Sequence, residues 1–257
     1  MKSAIAFLSA SLALAQTPAI LRNVGITQKM NAQVPLDLPF VDESGRDVKL
    51  GDFLGKPVIL ALVYYQCPSL CNLVLNGIVR SLGALKMTAG DQFDAVAVSF
   101  DPHETPEMAA AKKQSYAREY NRAGAERGFH FLTGPEASSR VLADTVGFRY
   151  SYDSMTNQFA HASGIMILTP GGRVARYFYG IEYPARDVRL GLEEASEGRI
   201  SSAVDQVLLY CYHYDPSQGK YGLVIMKALR LGAAITVASL LGLVLMLSRR
   251  DFRARRA

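Results

Sequence analysis

Two of the three cysteines in this 257-residue chain lie four positions apart, in the stretch YYQCPSLCNLVL at 64–75. One turn of helix brings residues at this spacing together, so Cys67 and Cys71 could form a disulfide or hold one ion. Three kinds of chemistry fit the pair: thiol–disulfide exchange, metal binding and a small structural disulfide. The structural disulfide ranks lowest, because closing so short a loop removes little entropy from the unfolded chain.

The second cysteine is predicted to begin a helix. Apolar side chains recur at helical spacing from this point, at Cys71, Val74, Leu75, Ile78, Leu82 and Leu85. The positive end of a helix dipole and its unpaired N–H groups favour a thiolate, so we expect a lowered cysteine pKa here. The thiolate is the species that binds metal ions or attacks disulfides.

One of the four histidines is a candidate third ligand. His161 ends the stretch NQFAH, which we predict to be a loop that leads directly into the strand ASGIMILT. A histidine there could reach a site at the edge of a sheet, and a structural role is equally compatible with its position. His130, among apolar neighbours in FHFLTG, is predicted to be a core or edge residue, and His103 a solvated or helix-capping residue.

Two thiolates and one imidazole would form a soft site with few ligands. Soft sulfur ligands select Cu(I), whereas structural zinc prefers four ligands in a closed tetrahedron. A site made of Cys67, Cys71 and His161 would therefore favour copper over zinc.

Apolar runs predict a series of buried strands. Two continuous runs lie at 57–65 and 93–100, and a third strand is predicted at 129–134. A helix is predicted after each of them, and the second begins at Thr105-Pro106 with proline in the first helical position. Turn residues at 43–45 and at 170–172 predict two hairpins, and 184–209 is predicted to be mostly helical.

This order of elements indicates an α/β fold, with a central sheet and helices on both of its faces. Cys67 and Cys71 come where the first strand of the sheet passes into its helix. In a doubly wound sheet this carboxyl edge is the usual place for a site.

Both ends of the chain carry targeting signals. Residues 1–15 have a basic start, an apolar stretch and an Ala13-Leu14-Ala15 end, which are typical of a cleaved signal peptide. Residues 227–248 are predicted to form a transmembrane helix, since 231–248 carry no charge and would span roughly 27 Å, one hydrocarbon core. Five arginines follow in the tail 249–257, and the positive-inside rule keeps such a tail in the cytoplasm.

The remaining segments complete the predicted organisation: a lead-in at 16–34, the functional domain at 35–210 and a juxtamembrane linker at 211–226. The domain is predicted to lie on the periplasmic side of the cytoplasmic membrane, tethered by a single C-terminal span. The formal net charge is +5, of which the tail contributes four and Lys2 leaves with the signal peptide. The domain itself is about neutral, so the composition does not indicate a nucleic-acid partner.

The third cysteine, Cys211, lies near His213 in YCYHYD, between the domain and the predicted membrane helix. A second soft metal site is one interpretation. We favour a buried thiol among interfacial tyrosines, because a Cys-x-His pair alone supplies too few ligands.

The motifs together resemble the SCO/SenC family. An apolar strand leads into CPSLC, SFDPHETPE follows, and a histidine precedes a hairpin with a Pro-Gly-Gly turn; the resemblance covers about residues 30–195. It implies a thioredoxin-like domain near a respiratory membrane that binds copper through Cys67, Cys71 and His161. It also implies that Asp101 shapes the site or the partner surface. Family members assist assembly of the CuA centre of cytochrome c oxidase, as copper donors, as thiol reductants of the oxidase subunit, or both.

The chain departs from the family pattern in three places. Members often carry an acid between the two cysteines and a proline just after them, where this chain has Ser69 and Asn72. Less negative charge beside the site is expected to alter the redox potential and the affinity for Cu(II). The familiar members are anchored at the N-terminus, so the predicted C-terminal anchor leaves the orientation of the domain toward its client open.

Two hypotheses follow. The first is a membrane-anchored copper metallochaperone that holds Cu(I), with Cu(II) left open, and that serves the CuA-bearing oxidase subunit or another copper or thiol client. The alternative is a thiol–disulfide oxidoreductase that acts on a protein client through Cys67 and Cys71. A thioredoxin-fold peroxidase ranks last, because the residues before Cys67 supply neither the threonine nor the arginine that activates peroxide.

Overall fold

Two fully buried parallel strands, β4 (Val58–Val63) and β5 (Asp94–Ser99), form the centre of a five-stranded sheet. The computed structural model describes residues 23–68, 70–200, 214–215, 220–221, 230–240 and 242. Every side chain of these two strands is buried, as expected for strands covered on both faces. The continuous apolar runs of the sequence therefore locate the middle of the sheet.

Three more strands, β6 (Phe129–Leu132), β9 (Gly164–Leu168) and β10 (Val174–Tyr179), complete this sheet, in the order β10-β9-β4-β5-β6. Strand β6 is parallel to β5, whereas β9 runs antiparallel to β4. Strand β10 forms the predicted hairpin with β9 and contains a bulge between Val174 and Arg176. The sheet is mixed, and its parallel strands end on the side where the cysteine segment begins.

Helices flank the sheet, as predicted. The α-helices described before residue 200 are α1 (Leu70–Gly83), α2 (Pro106–Tyr120), α3 (Ala125–Gly128), α4 (Glu136–Thr145) and α5 (Ala185–Ser196). Helix α1 contacts α2, α5 and strand β4, so these three helices form one layer against the sheet. Helix α2 begins after its N-cap residue Thr105 with proline in the first turn, as the sequence predicts.

Helix α1 lies very close to the segment that leads into α5. A Cβ atom added to Gly77 would come within 2.1 Å of the carbonyl oxygen of Ile181. Only glycine fits at this point of the helix, because a larger side chain would collide with backbone. This close approach fixes the position of the helix whose first turn carries Cys71.

A second, three-stranded sheet carries the candidate histidine. It consists of β1 (Gly25–Ile26), β7 (Phe148–Asp153) and β8 (Gln158–His161), with β7 in the middle. The predicted loop at NQFAH is therefore wrong: His161 is the last residue of a strand and pairs with Tyr150. Strand β7 alternates aromatic and polar residues, whereas β8 has no fully buried residue, so only one strand of this hairpin has a clear pattern in sequence.

Smaller elements complete the described part of the chain. Strands β2 (Pro39–Val41) and β3 (Asp47–Lys49) form the predicted hairpin, and a 3-10 helix follows at Leu50–Phe53. Two-residue strands β11 (Tyr214–Asp215) and β12 (Lys220–Tyr221) pair with each other in the predicted linker.

Several predictions fall partly or wholly outside the described residues. The signal peptide at 1–15, Cys211, His213 and the tail 249–257 all lie outside them, as do residues 201–209 of the predicted last helix. Residues 230–240 and 242 are helical, whereas the rest of the predicted span 227–248 is not described. Among the residues that the structure describes, no helix has both the length and the hydrophobicity to cross a bilayer. The membrane helix therefore stays a prediction.

Candidate metal centre

The cysteine pair lies where β4 passes into α1. The chain leaves β4 at Val63, and Cys71 is the second residue of α1. Both thiols are buried, with 6% of Cys67 and 1% of Cys71 exposed, and no disulfide joins them. The structure thus places a buried dithiol at the carboxyl edge of the central strands, where the order of elements predicts a site.

Backbone N–H groups point at both sulfur atoms. The N–H of Tyr64 donates to Sγ of Cys71 at 3.3 Å, and the N–H of Cys71 donates to Sγ of Cys67 at 3.4 Å. Donors of this kind stabilise sulfur in its anionic, metal-binding form. The turn that links β4 to α1 therefore prepares both sulfurs as ligands.

Burial outweighs these donors in the metal-free protein. The expected lowering of the cysteine pKa is wrong for Cys71, whose pKa is raised, first of all by burial and then by its hydrogen bond with Cys67. The helix terminus and the Tyr64 N–H act in the opposite direction, but a nearly inaccessible thiolate loses most of its hydration. Cys71 is thus a thiol at neutral pH until a metal ion displaces its proton.

The imidazole of His161 reaches the pair from the second sheet. Its Nε2 atom lies 3.1 Å from Sγ of Cys71, and its Nδ1 atom lies 2.8 Å from the carbonyl oxygen of Ala162. Because a carbonyl oxygen only accepts, Nδ1 carries the proton and Nε2 keeps its lone pair toward the sulfur. The backbone thus selects the tautomer that a metal ligand needs.

Aromatic rings surround the histidine. The ring centroids of Tyr64, Phe100 and Phe148 lie 5.9, 5.4 and 6.2 Å from that of His161. Phe100 and Phe148 are at most 1% exposed, and they separate the imidazole from solvent on that side. This packing restricts the motion of the imidazole ring and lowers the local dielectric constant. Electrostatic attraction between a bound metal ion and its ligands is therefore stronger here than in water.

The three side chains form a compact group of soft ligands. One ligand atom from each of Cys67, Cys71 and His161 lies within 4.8 Å of the other two. Among the described residues, no other group of three or more histidine, cysteine or acidic side chains is close enough to hold a metal ion. Two sulfurs and one nitrogen match the preference of Cu(I), and they fall one ligand short of a closed zinc site.

The other residues considered from the sequence have local roles. Asp101 accepts a hydrogen bond from the N–H of His103 at 3.0 Å and contacts the Nδ1 atom of that exposed histidine at 2.9 Å. His130 packs against Phe53, with ring centroids 4.6 Å apart, and burial lowers its pKa. Neither histidine belongs to the group of ligand atoms around the thiols, which agrees with the roles predicted for them.

Two residues have supporting roles that their sequence context does not predict. Glu104 accepts hydrogen bonds from the N–H groups that precede Cys67. Asn72 donates to the carbonyl oxygen of Cys67 at 3.1 Å and accepts from Nζ of Lys112 at 2.6 Å. An acidic residue inside SFDPHETPE resembles any helix-start acid, so only the three-dimensional contacts identify its role.

Comparisons with known proteins identify the fold and the family of the chain. No curated protein sequence matches the chain. A candidate electron transfer protein from Aquifex aeolicus VF5 is similar in structure at a TM-score of 0.59 and 25% identity, over 66% of this chain and 95% of that one.

Two further solved structures have lower identities. ScoI of Arabidopsis thaliana, solved with copper bound, has a TM-score of 0.52 and 17% identity over 65% of this chain and 99% of that one. BsSco, a member of the Sco family of cytochrome c oxidase assembly proteins in which a disulfide switch was identified, has a TM-score of 0.50 and 19% identity, over 66% and 98%. These likenesses confirm the α/β, thioredoxin-like fold.

The family assignment rests on the sequence match. The SCO1/SenC family model matches residues 27–194, which include both cysteines, His161 and most of the described elements. With that match over well more than half of the chain, and with the fold and the compact ligand group in place, the chain belongs to the SCO1/SenC family.

Proposed function

We propose that this protein is a membrane-anchored, extracytoplasmic copper metallochaperone that assists assembly of the CuA centre of cytochrome c oxidase. Cys67, Cys71 and His161 are its copper ligands. The observation that carries the proposal is the approach of the three ligand atoms to within 4.8 Å of one another. The copper bound to ScoI of Arabidopsis thaliana supports the choice of metal for a chain of the same family.

The two cysteines and the histidine contribute to copper binding in different ways. Cys67 and Cys71 lose their protons on loading, and the backbone N–H groups of Tyr64 and Cys71 then stabilise the sulfur charge. His161 presents Nε2 to the sulfur, because Nδ1 donates to the carbonyl oxygen of Ala162. Copper is the cargo, and it passes to a client with more ligands by ligand exchange.

The client and the location form part of the same proposal. The client is the CuA-bearing subunit of the oxidase or another copper or thiol protein, and the description of BsSco as an oxidase assembly protein supports this choice. The domain lies on the periplasmic side of the cytoplasmic membrane, held by the helix at 227–248 with the basic tail in the cytoplasm. The apolar, uncharged composition of 231–248 and the arginines after it support this topology.

Thiol–disulfide exchange with a protein client is the alternative function. Sγ of Cys67 accepts the N–H of Cys71, and the two sulfurs belong to a group no more than 4.8 Å across. Disulfide formation requires the two sulfurs to close from this separation to about 2.05 Å. The disulfide switch found in BsSco supports redox activity in a protein of this fold.

Copper titration tests the main proposal. The full chain, purified in detergent under reducing conditions, is titrated with Cu(I) in competition with a chromophoric chelator. We expect one tightly bound Cu(I) per chain in the wild type and none in Cys67→Ser or Cys71→Ser. His161→Ala is expected to weaken binding strongly, because a two-sulfur site lacks the third donor.

The matched control is His103→Ala, which removes an exposed imidazole that is hydrogen-bonded to Asp101 and is not part of the Cys67–Cys71–His161 group. It is expected to bind copper as the wild type does. If wild type and His161→Ala held Cu(I) equally well, the three-ligand proposal would be wrong and the dithiol alternative would gain support.

A further inference from the structure

The hydrogen-bond ladder of the central sheet ends where the cysteine segment begins. The N–H of Phe100 donates to the carbonyl oxygen of Val63 at 3.0 Å, one step beyond the last pair of β4 and β5. After this point the chain that follows β5 turns away at Asp101. On the β4 side, the N–H of Tyr64 donates to Sγ of Cys71, and those of Tyr65 and Gln66 have no neighbouring strand to accept them.

A side chain takes the place of the missing strand. One carboxylate oxygen of Glu104 accepts the N–H of Tyr65 at 2.7 Å, and the other accepts the N–H of Gln66 at 2.6 Å. The hydroxyl of Ser99 donates to the same carboxylate at 2.6 Å. Each oxygen thus holds one of the two residues that immediately precede Cys67.

The carboxylate is buried and well supported. Glu104 is only 7% exposed, and burial raises its pKa while the three hydrogen bonds lower it. Ser99, which is 1% exposed, also accepts the N–H of Asp101 at 3.1 Å, so the hydroxyl links the carboxylate to the loop after β5. A buried acid costs free energy unless its oxygens are paired, and here both are.

The segment on either side of Cys67 is held by different elements. Before it, Tyr65 and Gln66 are tied to Glu104, and the Tyr65 hydroxyl donates to the carbonyl oxygen of Leu132 at 2.7 Å. After it, Asn72 donates to the carbonyl oxygen of Cys67. Cys71 needs no such attachment, because it lies within the first turn of α1. Cys67 is the ligand whose position depends on these contacts.

We propose that Glu104 is a positioning residue that fixes Cys67 within reach of Cys71 and His161 by holding the backbone of Tyr65 and Gln66 in place. The inference rests on the proposed copper-binding function. It assigns Glu104 a role in the site without contact with the metal. Its loss lets the Cys67 segment move away from the other two ligands, so the three donors meet less often.

The test compares three replacements of Glu104. Glu104→Asp keeps the charge but is one methylene too short, Glu104→Gln keeps the shape but offers one acceptor oxygen instead of two, and Glu104→Ala removes both. We expect Cu(I) affinity in the full chain to fall about 10-fold or more in the Asp and Ala variants, the size typical of residues that orient ligands. The Gln variant is expected to lose less, since one hydrogen bond survives.

Asp94→Asn is the matched control. Asp94 is a second buried carboxylate, 5% exposed and paired with Lys56, at the opposite end of β5 from the site. Its replacement lowers stability without touching the cysteine segment, so Cu(I) affinity is expected to stay within about twofold of wild type. A fall in affinity in Asp94→Asn equal to that in the Glu104 variants would show that general destabilisation explains the effect, and would overturn the proposal.

A readout without copper separates this inference from the proposed function. The amide proton resonances of Tyr65 and Gln66 in the metal-free protein report the hydrogen bonds to Glu104 directly. At least one of the two resonances is expected to shift upfield in Glu104→Gln. Neither is expected to shift in Asp94→Asn. Failure of the wild type to bind Cu(I) would refute the proposed function. The amide resonances would still show whether Glu104 holds the backbone of Tyr65 and Gln66.

Two results would overturn the positioning role. One is unchanged Cu(I) affinity in Glu104→Gln and Glu104→Asp despite shifted amide resonances, which would leave Glu104 with a purely structural role. The other is unshifted Tyr65 and Gln66 resonances in Glu104→Gln. If Glu104→Ala does not fold, Ser99→Ala supplies a milder change that frees the carboxylate on one side, and it is expected to shift the same two resonances by a smaller amount.

Discussion

The Nε2 atom of His161 lies 3.1 Å from the Sγ atom of Cys71, although 90 positions separate the two residues in the chain. The contact joins two different sheets, because Cys71 follows β4 of the central sheet and His161 ends β8 of the smaller one. In the metal-free protein burial raises the pKa of the Cys71 thiol, so the S–H group keeps its proton and donates a hydrogen bond to this nitrogen. The ligand arrangement is therefore present before any metal binds.

Replacement of His161 by alanine is expected to separate copper binding from thiol chemistry. Cu(I) affinity falls by more than about 100-fold, since loss of a ligand costs more than loss of the groups that orient one, which is roughly 10–100-fold. The Cys67–Cys71 dithiol is expected to continue to exchange with a small disulfide, because the substitution leaves both sulfurs and the N–H groups that donate to them in place. The measurements are chelator competition for copper and a coloured-disulfide assay for exchange.

The same experiment with Cys71→Ser is expected to abolish both activities, and His103→Ala to preserve both. If exchange disappeared in His161→Ala together with copper binding, the imidazole would have a role in the thiol chemistry that its position as a copper ligand does not explain.

Replacement of Asn72 by alanine is expected to loosen the Cys67 segment from its far side. The amide of Asn72 donates to the Cys67 carbonyl oxygen, and Nζ of Lys112 holds that amide in orientation at 2.6 Å. Cu(I) affinity is expected to fall by up to about 10-fold, as for other groups that orient a ligand without binding the metal. Competition titration at fixed pH measures it.

A graded variant checks this prediction. Lys112→Met keeps most of the aliphatic length of the side chain but removes the hydrogen bond to Asn72, so its effect on copper affinity is expected to be smaller than that of Asn72→Ala. A larger effect for Lys112→Met would mean that the lysine charge, and not the hold on Cys67, controls the site.

Much of the fold follows from local sequence patterns, and the assembled site follows less directly. The apolar runs at 57–65 and 93–100 locate β4 and β5 because buried parallel strands need continuous apolar side chains. The proline after Thr105 locates the start of α2. The β7–β8 hairpin is not predicted, although β7 alternates aromatic and polar residues, because β8 has no fully buried residue and β1, the third strand of the sheet, is distant in sequence.

The site, like the fold, can be predicted from local sequence only in part. The cysteine pair is recognisable from its spacing, but the position of His161 beside it depends on how two sheets pack. The pKa of Cys71 was predicted in the wrong direction, since the helix terminus is visible in sequence and the burial of the thiol is not. Glu104 was missed for the related reason that its hydrogen-bond partners, Tyr65 and Gln66, lie 39 and 38 residues earlier.

Replacement of Gly77 by alanine is expected to destabilise the protein by about 1–3 kcal/mol, the usual cost of overpacking. The new Cβ would lie 2.1 Å from the carbonyl oxygen of Ile181, and neither backbone can yield without moving α1. Gly83, at the end of the same helix, has no atom within 4 Å of an added Cβ. Gly83→Ala is therefore expected to be neutral or to stabilise by up to about 1 kcal/mol.

Urea unfolding of the two variants measures the difference. Because Gly77 lies in the helix that carries Cys71, its alanine variant is also expected to bind Cu(I) more weakly than Gly83→Ala. Equal stabilities for the two variants would contradict the close packing of α1 against the segment before α5.

His130 is expected to make the metal-free protein less stable in mild acid. Burial lowers its pKa in the folded state, with the charges of Lys113 and Lys56 acting in the same direction and those of Asp94 and Glu43 opposing it. The unfolded chain, with a histidine pKa of about 6.5, then binds more protons than the folded chain. Stability is complete above that value, falls as the pH drops through it, and levels off below the folded-state pKa.

The free energy of unfolding, measured in urea between pH 7.5 and pH 5, is expected to decline less in His130→Gln than in the wild type. His103→Ala should keep the full decline, because that imidazole is exposed and its loss leaves His130 unchanged. The range above pH 5 matters, since carboxylates such as Asp42, whose pKa is lowered by its hydrogen bonds to Arg46 and Ser44 despite burial, titrate below it. Identical pH profiles for His130→Gln and the wild type would show that the half-buried ring beside Phe53 is not the source of the acid sensitivity.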